Sequence, residues 1–161
     1  MNFKNIVPGE GLDALQFGLT RDEVKKLLGN PDEVEVIEND EDADKTEQWH
    51  YDELELSVSF DEIDNWVLTS IAVSGADYLF DEQPLMGLTM EEVLEFLEES
   101  DLGDPEGEEL DTDEIGVKVE VISFPENNIT FWFENQILNE VQWSPFLDED
   151  EERYIWPSEL E

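Results

Sequence analysis

The sequence predicts an α+β fold of two tandem repeats, each a helix followed by an antiparallel meander, packed side by side. The first observation is a repeated opening, because Gly-Leu-Thr-x-x-Glu-Val occurs at residues 18–24 and again at residues 87–93. The second is that each copy precedes segments in which apolar and polar residues alternate, which is typical of strands. The third is a length of 161 residues, which suits one domain or two small units with a shared core.

The first predicted helix begins at Thr20. The Thr20 hydroxyl can accept a hydrogen bond from the backbone N–H of Glu23, whose carboxylate can accept one from the N–H of Thr20. An apolar stripe at positions i, i+3 and i+4 follows, formed by Val24, Leu27 and Leu28. Gly29 and Pro31 predict the end of this helix.

The second predicted helix repeats the pattern, with Thr89 and Glu92 as its capping box. Its apolar stripe consists of Val93, Phe96 and Leu97. Its end signal lies farther along the chain, at Gly103 and Pro105. The two helices therefore share a start and differ in their ends.

Strands are predicted after each helix. In the first unit they lie near residues 34–37, 47–51, 54–60 and 66–74, and in the second at 118–124, 128–134 and 136–144. Residues 56–62 match residues 129–135, and residues 68–73 match residues 138–143, at a spacing of about seventy residues. The sequence therefore predicts an internal duplication whose meanders form one or two antiparallel sheets.

These elements predict three segments along the chain. The first repeat covers residues 1–76, the second covers residues 77–146, and an acidic C-terminal tail covers residues 147–161. Two acidic runs, residues 38–47 and 99–114, are predicted to be loops. Within the tail, we expect the apolar insert around Tyr154 and Trp156 to dock on the same chain.

The charge of the chain constrains its partners. There are 46 Asp and Glu residues against 7 Lys and Arg, for a formal net charge of −39, and the excess lies after the charge-balanced first thirty residues. Such a field repels nucleic acid and anionic lipid and attracts basic proteins. We therefore expect a basic protein as partner, such as a toxin or nuclease, with no nucleic acid and no membrane. The oligomeric state stays open.

Several chemistries lack the residues they need. The chain has no cysteine, which excludes disulfides and thiolate chemistry. The segment nearest to a calcium-binding loop, residues 111–122, has isoleucine at its fifth and twelfth positions, where oxygen ligands are required. The single histidine, His50, has no neighbouring nucleophile motif and is predicted to be a surface strand residue. We expect no enzyme activity, no metal site and no cofactor.

The helix opening, the Leu-Gly-x-Pro close and the following meander resemble the SmpA/OmlA family of small outer-membrane lipoproteins. The matching residues are Gly18, Leu19, Thr20, Glu23, Val24, Leu28, Gly29 and Pro31, with a weaker copy at Gly87, Leu88, Thr89, Glu92 and Val93. The tandem arrangement, over roughly residues 11–145, resembles the beta-lactamase inhibitor protein fold. That resemblance implies a concave sheet that binds another protein, and no site residues are carried over from it.

Those families are exported, whereas the start of this sequence has no apolar run typical of a signal peptide and no segment typical of a membrane helix. A cytoplasmic location is expected. By class, a small acidic protein of this kind resembles the bacterial immunity proteins that neutralise toxins.

The predicted function is an immunity-type inhibitor that occludes a basic toxin or enzyme through its sheet and acidic loops. Two alternatives stay open: an inhibitor that mimics nucleic acid, and a halophile-type acidic domain whose charge has no specific role. Trp132 is the predicted aromatic anchor, because it lies opposite the face of Phe131 and Phe133. The predicted partner-binding residues are Asp40, Glu41, Asp42, Asp44, Glu106, Glu108, Glu109, Asp111, Asp113 and Trp132.

Overall fold

The computed structural model describes residues 4–38, 45–100, 102–110, 116–147 and 154–156. Across these ranges the helices are α1 (Arg21–Leu28) and α2 (Met90–Glu98), with single 3₁₀ turns at Glu62–Asp64 and Pro125–Asn127. The strands are β1 (Asn5–Val7), β2 (Gly11–Leu12), β3 (Leu15–Gln16), β4 (Glu33–Glu38), β5 (Lys45–Tyr51), β6 (Leu56–Asp61), β7 (Val67–Val73), β8 (Leu79–Phe80), β9 (Gln83–Pro84), β10 (Glu106–Leu110), β11 (Val119–Phe124), β12 (Ile129–Glu134), β13 (Ile137–Trp143), β14 (Phe146–Leu147) and β15 (Tyr154–Ile155).

One antiparallel sheet of eight strands dominates the fold, in the order β10-β11-β12-β13-β7-β6-β5-β4. Its centre is the pairing of β13 with β7, where Val141 faces Val73 and Trp143 faces Ile71. The meanders therefore form one continuous sheet. A smaller sheet, in the order β3-β2-β1-β8-β9, contains one parallel pair, β1 with β8, and strands β14 and β15 form a separate hairpin.

The hydrophobic core lies on one face of the eight-stranded sheet. That face buries Trp49, Tyr51, Leu56, Val58, Phe60, Leu68, Ile71, Val73, Phe124, Ile129, Phe131, Phe133, Leu138, Val141 and Trp143. It is covered by Val24 of α1, Val93 and Leu97 of α2, and Leu12 and Leu15 of the small sheet, all in the same cluster. Helices and small sheet thus occupy the same side of the large sheet.

The predicted α+β class is wrong. The chain is mostly β, with large antiparallel sheets, and its two described helices have only 8 and 9 residues. The predicted loops contribute to this difference, since residues 45–47 belong to β5 and residues 106–110 form β10. Glu and Gly are depleted in strands, so these acidic segments resemble loops until a neighbouring strand pairs with them.

The positions of the individual strands agree with the prediction better than the fold class does. The predicted strands coincide with β4 to β7 and with β11 to β13, and their ends differ by one or two residues. The segment boundaries at residues 76 and 146 stay a prediction. The expectation that the tail docks on its own chain is confirmed, because β15 pairs with β14 and Trp156 packs against the core.

Both predicted capping boxes are confirmed. The N–H of Glu23 donates to the Thr20 hydroxyl over 3.2 Å, and the N–H of Thr20 donates to the Glu23 carboxylate over 3.0 Å. Thr89 and Glu92 make the same two bonds, each 3.2 Å long. Helix α1 ends at Gly29 as predicted, whereas α2 ends at Glu98, before the predicted signal at residues 103–105.

The repeated Gly-Leu-Thr attaches each helix to an inner strand. Gly18 donates its N–H to the carbonyl of Leu68 over 2.9 Å, and Leu68 donates back to the carbonyl of Leu19 over 2.8 Å. In the second copy, Gly87 donates its N–H to the carbonyl of Leu138 over 3.0 Å, and Leu138 donates back to the carbonyl of Leu88 over 2.9 Å. Each inner strand has a bulge next to this contact, at Thr69 opposite Ser59/Phe60 and at Asn139 opposite Trp132/Phe133. The repeated sequence therefore encodes a repeated docking contact between helix start and sheet.

We expect Thr20→Ala and Thr89→Ala each to lower the free energy of unfolding by about 1 kcal/mol, because each leaves a first-turn N–H without its acceptor. Urea denaturation of the two variants measures this loss. Thr20→Ser and Thr89→Ser keep the hydroxyl and serve as controls. A loss as large in the serine variants as in the alanine variants would contradict the role of the hydroxyls.

Candidate functional site

The face of the eight-stranded sheet opposite the core is the candidate site. Residues paired directly across antiparallel strands point to the same face, so the registers define its members. This outer face consists of Glu33, Glu35, Ile37, Thr46, Gln48, His50, Ser57, Ser59, Asp61, Val67, Ser70, Ala72, Glu106, Glu108, Leu110, Val119, Val121, Ser123, Thr130, Trp132, Glu134, Ile137, Glu140 and Gln142. None of these side chains belongs to the core cluster or packs against it.

The outer face carries carboxylates without balancing Lys or Arg in the described part of the chain. Its acids are Glu33, Glu35, Asp61, Glu106, Glu108, Glu134 and Glu140. Two of the cations, Arg21 and Lys118, are engaged away from this face. Arg21 pairs with Glu47 at 3.1 Å and lies 4.8 Å from the ring of Trp66, while Lys118 pairs with Glu120 at 3.4 Å. A cationic partner would therefore meet no repulsion on this face.

An apolar patch lies within these charges. We define the Trp132 patch as Trp132, Val121, Val119 and Leu110, on three neighbouring strands. Val121 is buried beneath the patch, and the other three side chains are half-buried. The indole N–H of Trp132 is buried and has no acceptor among the described residues, and an unpaired buried donor costs about 1–3 kcal/mol.

Glu140 lies directly across from Trp132, on β13. Its side chain is half-buried, and the described residues provide it with neither a hydrogen bond nor an ion pair. Burial raises the pKa of the Glu140 carboxyl above its ordinary value. Asp61, also half-buried on this face, differs because it accepts hydrogen bonds from Thr46 and Thr69 at 2.7 and 3.0 Å. Among the described residues, Glu140 is thus a half-buried carboxylate without a donor or a cation.

We expect Glu140→Gln to raise the melting temperature at pH 7 and to have no effect near about pH 4. The raised folded pKa means that the neutral carboxyl stabilises the fold below the unfolded value, near 4.5, and that this contribution is lost as the pH rises through the folded pKa. Thermal melts across this range measure the effect. Glu95→Gln, at an exposed position of α2, is the control. An equal rise in melting temperature at both pH values would contradict a raised pKa of Glu140 in the folded chain.

The structure brings together some predicted binding residues and separates others. Glu108 faces Val121, which faces Trp132, so the predicted anchor and one predicted acid share a row across the outer face. Glu106 lies on the same face, whereas Glu109 points to the opposite side and lies 3.8 Å from Lys118. These glutamates lie on an edge strand and not on the predicted loop. Asp40, Glu41, Asp42, Asp44, Asp111 and Asp113 lie outside the described residues.

Sequence reasoning missed Glu140 and Val121. The alternation of residues 138–143 indicates that Glu140 and Val141 point to opposite faces. The alternation does not show that Glu140 faces Trp132, because that depends on the register between β12 and β13 and on the bulge between Trp132 and Phe133.

His50 has a partner that the sequence did not reveal. Its Nδ1 lies 2.7 Å from the Ser57 hydroxyl, and its Nε2 lies 4.0 Å from a Glu35 carboxylate oxygen. Nucleophilic catalysis also requires donors for an oxyanion. Ser57 lies within β6, which pairs with strands on both sides and so has its backbone engaged. We therefore interpret this contact as a cross-strand hydrogen bond, and the absence of enzyme activity stays a prediction.

Exposed carboxylates also occur away from the outer face. They lie on α1 at Asp22, on α2 at Glu91 and Glu95, and in turns at Glu53 and Glu126. In the described residues, acidity is thus distributed over many elements and forms no single patch. Charge alone does not define a site, whereas the outer face adds an apolar anchor and an unpaired carboxylate to it.

Comparisons with known protein families, with curated proteins and with solved structures find no match. The resemblances to the SmpA/OmlA family and to immunity proteins therefore stay predictions. No helix in the described ranges has the length and apolar character needed to cross a membrane.

Proposed function

We propose that this chain is a protein-binding module of the immunity type, which inhibits a basic toxin or enzyme by covering its cationic cleft with the outer face. The Trp132 patch is the anchor, and the surrounding carboxylates receive the partner's Lys and Arg side chains. A cytoplasmic location belongs to the same proposal, because a protective inhibitor must be present where the toxin acts.

One observation carries the proposal. Trp132 is half-buried on the outer face and lies beside Glu140, a half-buried carboxylate to which the described residues offer no cation. The ring offers an apolar surface, and the carboxylate accepts hydrogen bonds from a cation. A basic protein matches both groups, since a Lys or Arg side chain can cover the ring with its apolar stem and donate to the carboxylate with its charged end.

Two physical steps follow. The net charge of −39 attracts a basic partner from a distance and raises the association rate, although such long-range attraction is screened by salt. The apolar patch then loses its water when the partner covers it, and a desolvated aromatic surrounded by polar contacts is the usual arrangement of a binding hot spot. Steering therefore governs association, and Trp132 governs dissociation.

The test begins with capture of the basic partner at low ionic strength from the native cell. Affinity is then measured with purified components. We expect Trp132→Ala to weaken binding by about thirtyfold or more, the effect of a hot spot of at least about 2 kcal/mol. Glu140→Gln is expected to weaken binding by about tenfold. Matched controls away from the outer face are Leu54→Ala, at a position 42% exposed, and Glu95→Gln.

Two results would contradict the proposal. One is a captured partner with no excess of Lys and Arg. The other is an affinity that Trp132→Ala and the controls change equally.

The distribution of acids favours a second candidate, a halophile-type surface whose charge maintains solvation in high salt. The two candidates differ in the salt that folding requires. A binding module should be folded at low salt, and its melting temperature should rise up to about 0.15 M NaCl as repulsion is screened. A halophile-type domain should fold only near molar salt. Thermal melts between these limits separate them.

A further inference from the structure

Strand β4 is an exposed edge of the eight-stranded sheet. It pairs with β5 on one side, and no described strand lies on its other side. All six of its residues are exposed. Edge strands are usually protected by a Pro, by charged side chains, especially Lys, or by a bulge. β4 has no Pro, Lys or bulge over Glu33–Glu38, and its charged residues are all Glu. The backbone groups on its unpaired side can therefore accept a strand of opposite charge.

The side chains of β4 alternate in chemistry. Glu33 and Glu35 point to the outer face, whereas Val34 and Val36 point to the core side and are 50% and 54% exposed. The last two residues reverse this order, with Ile37 on the outer face and Glu38 on the core side. Val34 is paired with Trp49, whose ring is buried. The apolar face of the sheet therefore continues past its buried part to the edge.

The opposite edge lacks this character. β10 has the sequence Glu-Gly-Glu-Glu-Leu, and its four leading residues are exposed. Glycine in a strand weakens pairing, and Glu106, Gly107, Glu108 and Glu109 present no apolar side chain. Of the two edges of the eight-stranded sheet, only β4 thus combines free pairing positions with several exposed apolar side chains in the described residues.

We propose that the β4 edge binds an extended basic segment of a partner protein by strand addition. The segment alternates Lys or Arg with β-branched residues. Its cations would face Glu33 and Glu35 on the outer face, and its apolar side chains would cover Val34 and Val36. Backbone hydrogen bonds supply affinity in such complexes, and the alternate side chains supply specificity.

Charge decides between this occupant and a second copy of the chain. Two β4 strands paired with each other would bring Glu33, Glu35 and Glu38 of both copies together, and like charges directly opposite are unfavourable in a sheet. A basic strand would bring Lys or Arg next to these glutamates, so that repulsion is replaced by attraction. The site lies five strands from Trp132, about 24 Å at the usual strand spacing, and does not depend on the Trp132 patch.

The probe is a capped heptapeptide that alternates lysine and valine, measured by calorimetry at low and at physiological salt. Amide exchange then locates the contact. We expect one peptide per chain and slower exchange along β4, with no change along β10. The double variant Val34→Thr/Val36→Thr should weaken binding by about tenfold. Glu33→Gln/Glu35→Gln should weaken it by about threefold at low salt, since exposed charge pairs contribute little.

Three controls make the test specific. A peptide of the same composition, with its lysines and valines in separate blocks, should bind at least about tenfold more weakly. Ile63→Thr removes an apolar side chain that is 72% exposed, and Trp132→Ala removes the anchor of the other site. Both variants should bind the alternating peptide like the unmodified chain. Circular dichroism confirms that each variant is folded.

Any of the following results would overturn the proposal: no binding, equal binding of the two peptides, protection along β10 in place of β4, or an unaffected Val34→Thr/Val36→Thr variant. Dimerisation of the free chain with protected β4 amides would show that a second copy occupies the edge. A negative result with the peptide would not contradict the proposal for the Trp132 patch. Trp132→Ala is expected to weaken binding of the captured partner and to leave binding of the peptide unchanged.

Discussion

Replacing Phe131 with alanine is expected to lower the free energy of unfolding by about 3–5 kcal/mol, the usual cost of removing a large buried aromatic. Phe131 is fully buried at 0% exposure. Its ring makes edge contacts with Phe80 and Phe124, at centroid distances of 6.0 and 5.8 Å. Since Phe80 belongs to the small sheet and Phe124 to β11, the cavity would open where three elements meet.

The neighbouring residue provides a matched control. Trp132 is the next residue on β12 and points to the outer face, outside the core cluster. Trp132→Ala should therefore cost less than about 1.5 kcal/mol, although it removes the larger side chain. Urea denaturation measures both variants. Equal losses would mean that Trp132 belongs to the core, and that the outer face is covered when the chain is alone.

Gly11→Ala is expected to lower the free energy of unfolding by about 2–3 kcal/mol. Gly11 has φ +136°, which favours glycine, and an added Cβ would meet the carbonyl oxygen of Leu15 and lie 2.9 Å from the Cα of Gln16. These are backbone atoms of the paired strand β3, so they cannot move without breaking the hairpin. The Gly11 carbonyl also accepts the indole N–H of Trp143 over 3.2 Å, and displacement would break this link to the large sheet.

Gly107→Ala is the control for this substitution. Gly107 has no positive φ, and a Cβ there would meet only the end of the Ile122 side chain, at 3.3 Å. We expect a change within about 0.5 kcal/mol, and a small gain is consistent with replacing glycine inside a strand. Thermal or urea unfolding of both variants tests the contrast. If Gly107→Ala lowered the free energy of unfolding as much as Gly11→Ala does, the proposed steric cause at Gly11 would be contradicted.

The outer-face site has a consequence for stability. Among the described residues, the half-buried carboxylate of Glu140 and the buried N–H of Trp132 have no partners, and each group is unfavourable in the free protein. The proposed function therefore predicts that Glu140→Gln separates two properties, since it should stabilise the free chain at neutral pH and weaken binding. A substitution that improved both would indicate that Glu140 has no role in recognition.

The sequence by itself determined the local features of this protein. Thr20 with Glu23, and Thr89 with Glu92, form their caps within four residues, so these contacts are readable from the chain alone. Alternation likewise placed Phe131 and Trp132 on opposite faces, because successive side chains of a strand point to opposite sides. The observed burial of Phe131 and the outer position of Trp132 agree with that reading.

Only the tertiary structure decided how these elements combine. The pairing of Val73 with Val141 joins strands far apart in the sequence, and nothing local to either strand specifies it. The acidic residues of β10 form a strand because β11 supplies hydrogen-bond partners for their backbone. Strand propensities of single residues do not include this stabilisation by a neighbouring strand. The same long-range registers place Glu140 beside Trp132 and leave β4 at an edge. Both proposed binding surfaces depend on contacts between distant residues, which is why composition and periodicity predicted a basic partner and could not predict where it would bind.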